Sequence, residues 1–98
     1  MSHCVFTFEA RADLQRIHDY IARNSPSNAL RFVVRPEEVC IGLADHPFMG
    51  TARPEFGTDL RSFVVPGTRY VIIYRPAADC VEIVHVRHGS QDLLRLFE

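Results

Sequence analysis

Two histidines near the end of the chain are the side chains best suited to proton transfer. His85 and His88 lie three residues apart in the segment VEIVHVRHG. On a helix this spacing would place two metal ligands on one side, whereas on a strand it places them on opposite faces. The segment is rich in β-branched residues and predicts a strand, so we expect no shared metal ion. His88 is then either a general base at a strand end or a cap that bonds a nearby carbonyl.

The chain contains eleven arginines and no lysine. Lysine is thereby excluded as a nucleophile, base or phosphate ligand. Residues 60–89 contain four arginines and two acids, in a chain of net charge −1. Such a cluster predicts either a surface that binds phosphates or carboxylates or ordinary solvated charges. The four arginines are Arg61, Arg69, Arg75 and Arg87.

Length and composition predict one domain over residues 1–98. The chain is 47% hydrophobic, which suffices for one modest core. Its three cysteines form no CxxC pair, so they predict neither a zinc ribbon nor a redox site. The sequence shows no signal peptide and no apolar run of about 18 residues. We therefore expect a cytoplasmic protein that has no membrane contact and no cofactor.

A strand and an amphipathic helix are predicted at the start of the chain. Cys4–Phe8 (CVFTF) is β-branched and aromatic, as strands are. Glu9–Asn24 follows with apolar residues three and four apart, which is the periodicity of a helix face. These residues are Leu14, Ile17 and Ile21. Asp13 and Asp19 on the same helix are interpreted as solubilising charges.

A second helix is predicted from Pro26 to about residue 45. Ser25 suits the N-cap and Pro26 the first helical position. Pro36 lies inside this segment and lacks a backbone N–H, so it predicts a kink or a split. The predicted core side includes Phe32 or Val33, Cys40 and Leu43. Two helices joined by a short connection predict an antiparallel hairpin.

Three further strands are predicted in the last third of the chain, at Leu60–Val65, Arg69–Arg75 and Cys80–His88. Residues 48–59 predict a loop, and Gln91–Phe97 predicts a short helix or tail. The order β-α-α-β-β-β predicts an α+β fold. Its helical hairpin should pack on one face of a small, mostly antiparallel sheet.

A turn at residues 76–79 predicts the register of the last two strands. Arg75 would face Val81, and Ile73 would face Ile83. Both faces of this hairpin are then apolar at the centre, and one helical hairpin can cover only one of them. We expect the other face to be an exposed partner surface. The alternative is that the first strand and the tail cover it.

The chain resembles the ParE branch of the ParE/RelE toxin superfamily in a series of ordered motifs. These are ADLQRIHDYIARNSPSNALRF, LADHP, LRSFVV, RYVIIYR, VEIVHVRHG and DLLRLF. The resemblance implies the toxin of a type II toxin–antitoxin system, as found on plasmid stabilisation loci. It also implies a ParD-like antitoxin with a ribbon-helix-helix DNA-binding domain and a C-terminal segment that wraps the toxin. Operator DNA would be contacted only through that antitoxin.

The superfamily contains ParE-like inhibitors of DNA gyrase and RelE-like enzymes that cleave messenger RNA on the ribosome. The resemblance implies that RelE-like nucleases carry basic residues or a tyrosine at five positions. Here these positions are Ser62, Val64, Val71, Ser90 and Leu96. We therefore expect a gyrase inhibitor without catalytic residues. The alternatives are an endoribonuclease that uses His85, His88 and Asp92, and an inactive module that only binds antitoxin.

Two sets of binding residues follow from the predicted sheet faces and from the resemblance. Antitoxin contact is predicted for Arg61, Arg69, Tyr70, Tyr74, Arg75 and Arg87. Contact with the target is predicted for the tail residues Arg95, Leu96 and Phe97.

Overall fold

Two helices pack on a five-stranded mixed sheet. The computed structural model describes residues 3–24, 38–89 and 93–97. The elements are β1 (Cys4–Phe6), α1 (Phe8–Asn24), α2 (helical at residues 38–45), β2 (Thr51–Ala52), β3 (Arg61–Val64), β4 (Tyr70–Pro76), β5 (Val81–His88) and a C-terminal 3-10 helix (Leu93–Phe97). The strand order is β1-β5-β4-β3-β2, with β1 parallel to β5 and the other pairs antiparallel. The predicted α+β class is confirmed, while Pro36 and the rest of residues 25–37 lie outside the described residues.

The first strand is shorter than predicted because Thr7 caps the first helix. β1 ends at Phe6, and Phe8 is already helical. The Thr7 hydroxyl accepts a hydrogen bond from the Ala10 N–H at 3.1 Å, as an N-cap side chain does. The same hydroxyl donates to the Val84 carbonyl at 3.0 Å. The start of α1 is thereby joined to β5.

The β4–β5 hairpin has a different register from the predicted one. Arg75 pairs with Glu82, one residue beyond its predicted partner. A bulge then shifts the register again, so that Ile73 pairs with His85, two residues beyond its predicted partner. The predicted register is wrong because a bulge sets two residues of one strand against one of the other, and an alternating pattern does not reveal it.

The first face of the sheet packs against both helices. The predicted core sides are confirmed for Leu14, Ile17 and Ile21 of α1 and for Cys40 and Leu43 of α2. They meet the strand residues Ile72, Tyr74, Val81, Ile83 and Val86, all of which are buried. Each large aliphatic side chain buried there stabilises the fold by about 1.5–3 kcal/mol. Phe32 and Val33 lie outside the described residues.

The second face of the sheet is covered as well, so the prediction of an exposed apolar face is wrong. Val71 and Ile73 of β4 are buried on this face beneath Phe56 and Leu60 from the loop before β3. The 3-10 helix adds Leu93, Leu96 and Phe97. The alternative arrangement holds in part, because the tail folds over the face while β1 extends the sheet beside β5.

Residues 48–59, predicted as a loop, contain the two-residue strand β2. Thr51 pairs with Ser62, and Ala52 pairs with Arg61. Two residues are too few to show an alternating pattern, which is why the sequence does not predict this strand.

Tyr74 fixes the same loop to the core. Its side chain is 0% exposed, and its hydroxyl donates to the Pro47 carbonyl at 2.9 Å and accepts from the Gly50 N–H at 2.8 Å. A Cβ at Gly50 would lie 2.5 Å from the Tyr74 oxygen and 2.8 Å from the Ser62 carbonyl, so only glycine fits. Burial raises the pKa of the Tyr74 hydroxyl. Tyr74 is therefore a core residue, which corrects its predicted place on a binding surface.

No helix within residues 3–24, 38–89 and 93–97 is long and apolar enough to span a bilayer. The three cysteines are free thiols, of which Cys40 is buried.

Candidate functional site

A buried carboxylate is the centre of the polar contacts between α1 and β5. Asp13 is 2% exposed. Its Oδ2 accepts hydrogen bonds from the Val86 N–H at 3.1 Å and from His85 Nδ1 at 2.9 Å. Its Oδ1 contacts the guanidinium groups of Arg16 and, at 3.2 Å, Arg87. These four donors use about as many acceptor positions as one carboxylate offers.

Asp13 occupies a gap in the pairing of β5. β1 is short and its ladder with β5 ends at Ile83, so the outward backbone groups beyond it have no partner strand. The Thr7 hydroxyl satisfies the Val84 carbonyl, and Asp13 satisfies the Val86 N–H. A buried donor left unsatisfied would cost about 1–3 kcal/mol. Two side chains from the start of α1 thus replace the strand that ends.

The prediction that Asp13 is a solubilising surface charge is wrong. Ala10 and Ile17 are both buried, and they lie three residues before Asp13 and four residues after it. Residues at these spacings share a helix face, so the apolar stripe itself places Asp13 on the buried side. The pattern did not reveal it because it counts apolar residues only. Asp19, whose side chain is 56% exposed, does lie on the surface.

Asp13 is ionised at neutral pH. Burial by itself would raise the pKa of the carboxyl. The surrounding donors, of which His85 has the largest effect, outweigh burial and hold the pKa below its ordinary value of 3.8. An ionised carboxylate only accepts hydrogen bonds, so His85 carries a proton on Nδ1.

His85 connects Asp13 with the C-terminal tail. Its side chain is 13% exposed, and its ring meets the Phe97 ring edge-on at a centroid distance of 5.8 Å. Phe97 in turn stacks on Phe56 at 5.1 Å. A continuous chain of contacts therefore runs from the buried carboxylate on α1 to the tail on the second face.

A cleft of about 690 Å³ opens beside this network, between α1 and the ends of β4 and β5. Its polar lining consists of Arg16, Tyr20, Thr68, Arg69, Tyr70, Arg87 and His88. Among the residues that the structure describes, this lining holds three arginines and no acid. Burial raises the pKa of the Tyr70 hydroxyl, and the Tyr70 ring meets the His88 ring edge-on at 5.3 Å. The cleft thus offers positive charge next to aromatic surface, which suits an anionic ligand.

Of the five predicted antitoxin contacts other than Tyr74, three meet in the cleft and the other two lie at separate places. The group that meets in the cleft is Arg69, Tyr70 and Arg87. Arg61 lies elsewhere, where it donates to the Gly50 carbonyl at 2.7 Å and stacks over the Phe48 ring at 4.8 Å. Arg75 forms an exposed ion pair with Glu82 at 3.0 Å. The structure therefore does not join all five remaining residues into one surface.

The residues of the alternative catalytic set are also dispersed. His85 pairs with Ile73 on the second face, and His88 pairs with Tyr70 on the first, so the predicted separation of the two histidines is confirmed. Asp92 lies outside the described residues. The tail residues have unequal exposure, with Arg95 on the surface and Leu96 and Phe97 half-buried.

Three charged or aromatic residues of the site were missed by reasoning from the sequence, and these three belong to α1. Asp13, Arg16 and Tyr20 are spaced three and four apart, so they follow one side of the helix. That signal was available, but it acquires a meaning only when the facing end of the sheet is known.

The fold is shared with a protein whose structure has been solved. It matches the solved structure "Chromosomal ParDE TA system from P. aeruginosa" with a TM-score of 0.74, over 90% of this chain and 95% of that chain. The sequence identity is 24%, so this likeness concerns the fold alone.

Relatives are also found by sequence. Toxin RelE2 of Caulobacter vibrioides is 38% identical over 93% of this chain and 99% of its own length. A Sinorhizobium fredii protein designated Y4kP is 35% identical over 88% of this chain and 86% of its own length.

The family model described as "ParE toxin of type II toxin-antitoxin system, parDE" matches residues 4–93. The chain therefore belongs to the ParE toxin family and is the toxin of a type II toxin–antitoxin system. Membership in this family implies a cognate antitoxin as partner. The resemblance stated from the motifs is confirmed.

Proposed function

We propose that the chain inhibits DNA gyrase and does not cleave RNA. The observation that carries this proposal is the packing at the positions where the resemblance implies nuclease side chains. Val71 is buried in the apolar cluster of the second face, and Leu96 packs against this cluster. Ser62 is 8% exposed and its hydroxyl accepts from Arg53 at 3.3 Å, while Val64 is exposed but apolar. None of these four side chains carries the positive charge or the phenol that the resemblance implies for a RelE-like nuclease. The fifth position, Ser90, lies outside the described residues.

The test compares the two activities on the same preparation. Purified chain should slow the supercoiling of relaxed plasmid by gyrase and should leave messages intact in a translating extract. Cleaved messages together with normal supercoiling would overturn the proposal.

The tail is the proposed contact with gyrase. Arg95 is exposed on the 3-10 helix, so Arg95→Ala should weaken inhibition without unfolding the chain. Arg11→Ala is the matched control, because Arg11 is also an exposed arginine but lies on the first turn of α1. Equal inhibition by both variants would show that Arg95 does not contact gyrase.

Neutralisation by an antitoxin that covers Arg69, Tyr70 and Arg87 is the second part of the proposal. These residues converge in one cleft that has an excess of positive charge, although the chain as a whole is at −1. Inducing the chain alone should arrest growth, and co-expression of the antitoxin should relieve the arrest. Normal growth on induction would favour the alternative of an inactive antitoxin-binding module.

Cleavage of messenger RNA is the second candidate function, and one contact favours it. His85 Nδ1 lies 2.9 Å from a buried carboxylate, which is how a general base is held by an orienting acid. On this candidate, His85→Gln abolishes cleavage in a translating extract and leaves gyrase unaffected. His88→Gln is the matched variant, because His88 lies on the other face of the sheet and contacts Tyr70.

A further inference from the structure

Two cysteines that are distant in the sequence meet at the start of the β1–β5 ladder. Cys4 pairs with Val81, whose N–H donates to the His3 carbonyl at 2.9 Å. Cys80 precedes Val81, so it lies one residue diagonally from Cys4. Neighbouring strands are about 4.8 Å apart and rise about 3.3 Å per residue, which places the two Cα atoms about 5.8 Å apart. Disulfide bonds join Cα atoms that are about 4.4–6.8 Å apart, so the backbone here is spaced for one.

Both thiols lie on the side of the sheet that carries α2. The Cys4 thiol donates to the Cys40 carbonyl on α2 at 2.7 Å. Cys80 lines a cleft of about 250 Å³ together with Ala44 and Asp45 from the end of the same helix. Because Cys80 precedes the first residue of β5, the alternation of the strand does not turn its side chain to the opposite face. The two sulfurs therefore approach each other from one side of the sheet.

The cysteines of this region differ in their access to an oxidant. Burial raises the pKa of the Cys4 thiol, and the nearby Cys80 thiol adds to this rise while the bond to the Cys40 carbonyl opposes it. Since the thiolate is the reactive form, Cys4 is slow to be oxidised directly. Cys80 is partly exposed at its cleft, whereas Cys40 is 1% exposed. Cys80 is therefore the thiol that a small oxidant meets first.

We propose that Cys80 and Cys4 are a peroxide-sensitive thiol pair that closes to a disulfide within the chain. The Cys80 thiolate attacks one oxygen of hydrogen peroxide, the O–O bond breaks, and a sulfenic acid and hydroxide form. The Cys4 sulfur then displaces the hydroxyl group from Cys80, and this group leaves with the Cys4 proton as water. Two electrons pass from the sulfurs to the peroxide, so two thiols and one peroxide yield one disulfide and two waters.

Closing this bond changes two links between elements. The Cys4 S–H donor is lost, so β1 gives up its hydrogen bond to the Cys40 carbonyl of α2. In exchange, β1 becomes covalently joined to the turn that precedes β5. A disulfide over residues 4–80 encloses most of the chain and restricts the unfolded state. The oxidised toxin should therefore unfold less often and survive longer in the presence of a protease than the reduced toxin.

The test is oxidation of the reduced full chain with hydrogen peroxide at low protein concentration. The intact mass should fall by about 2 Da, because two hydrogens are lost. The three cysteines lie in three different tryptic peptides, so digestion without reductant should show the peptides of Cys4 and Cys80 joined. Degradation of the oxidised chain by a protease should slow by about tenfold or more. Dithiothreitol should restore the reduced mass and the original rate.

Single substitutions separate the roles of the three thiols. Cys4→Ser should leave Cys80 as a sulfenic acid that dimedone traps, whereas Cys80→Ser should show neither trapping nor loss of mass at the same exposure to peroxide. Cys40→Ala is the matched control and should still form the disulfide, because Cys40 is buried in the apolar cluster of the first face. If Cys40→Ala does not fold, the joined peptides of the wild-type chain identify the pair without it.

Other products of the oxidation would overturn the proposal. These are a disulfide that involves Cys40, a dimer joined through Cys80, and an oxidised Cys80 that does not bond to Cys4. Unchanged degradation of the disulfide form would contradict the stabilising effect of the bond. None of these measurements involves gyrase or an antitoxin, so their outcome is independent of the proposed function.

Discussion

The two faces of the sheet bury their side chains in different ways. The first face lies under two helices, and the fully buried Ile72, Tyr74, Ile83 and Val86 line it. The second face has a smaller buried cluster, covered by a loop and by the short 3-10 helix, whose residues Leu93, Leu96 and Phe97 are only partly buried. The polar network of Asp13 lies at the β5 edge between these faces. The first face therefore holds most of the stability, while the second holds the tail proposed to meet the target.

The largest loss of folding stability is expected from substitution of Asp13, whose polar network lies between the two faces of the sheet. Asp13→Ala removes the acceptor from two arginines, His85 and the Val86 N–H, and breaking a buried charged network costs about 3–5 kcal/mol. Urea denaturation at pH 7 would measure the loss. Asp19→Ala on the same helix is the matched control and should change stability by about 0.5 kcal/mol or less, because Asp19 is exposed. Equal effects of both variants would contradict the role given to the β5 edge.

The lowered pKa of the Asp13 carboxyl predicts that the stability of the fold depends on pH. The pKa of Asp13 is lower in the folded chain than its ordinary value of 3.8. Its ionised form therefore contributes stability that is fully present above pH 3.8 and is lost as the pH falls through the lower, folded pKa. Urea midpoints measured from pH 6 to pH 2 should fall less steeply for Asp13→Asn than for the wild type at the acid end. Parallel curves would contradict a lowered pKa.

The next largest loss of stability is expected at Gly50, in the loop between α2 and β2. Gly50→Ala should destabilise the fold by about 1–3 kcal/mol, because the new methyl group would overlap the Tyr74 hydroxyl and the Ser62 carbonyl. Gly42→Ala is the matched control. Position 42 is helical with open space around it, so this change should stabilise the fold by about 0.5–1 kcal/mol. Thermal unfolding of both variants would show opposite signs, and a shared sign would refute the packing described at Gly50.

A smaller loss is expected from the tail. Phe97→Ala removes a half-buried ring that stacks on Phe56 and meets His85, which should cost about 1–2 kcal/mol. Resonances of Val71 and Ile73 on the second face should shift, while those of the first face stay in place. Leu94→Ala, at a position that is 45% exposed, serves as the control. Shifted resonances throughout the apolar cluster of the first face would show that the two faces do not pack independently.

The smallest effect is expected from the exposed pair at the turn end of the hairpin. Arg75→Gln should cost about 0.2–1 kcal/mol, because its partner Glu82 is also solvent-accessible and such pairs are screened. A denaturation series at low and high salt would show the difference between variant and wild type shrinking with added salt. A larger, salt-independent loss would show that the pair does more than bridge exposed charges.

The sequence predicted the elements of this fold better than their contacts. The stripe of Leu14, Ile17 and Ile21 was found because the repeat of one helix turn is a local property. The bulge in β5 was not found, because a strand with one extra residue keeps its alternating pattern on either side of it. The hairpin register was therefore wrong even though both strands were placed to within one residue.

The candidate site shows the same division between local and distant information. Arg69, Tyr70 and Arg87 were proposed from the sequence and do meet in the cleft, but Tyr74 lies in the core. The β4 strand alternates correctly, yet its pattern does not say which face is covered by helices. The tail and the loop before β3 covered the face that had been predicted to be open.

The sequence by itself determined the α+β order of elements, the buried side of the helices and the motifs of a ParE toxin, because each depends on residues near one another in the chain. Only the tertiary structure decided that Asp13 is buried and that His85 and Arg87 converge on it. The Asp13–His85 hydrogen bond joins residues 72 positions apart. It forms because β1 ends early and leaves the edge of β5 unpaired. A strand that stops short leaves no periodic mark in the sequence, so the carboxylate that completes its edge becomes visible only when α1 is packed beside β5.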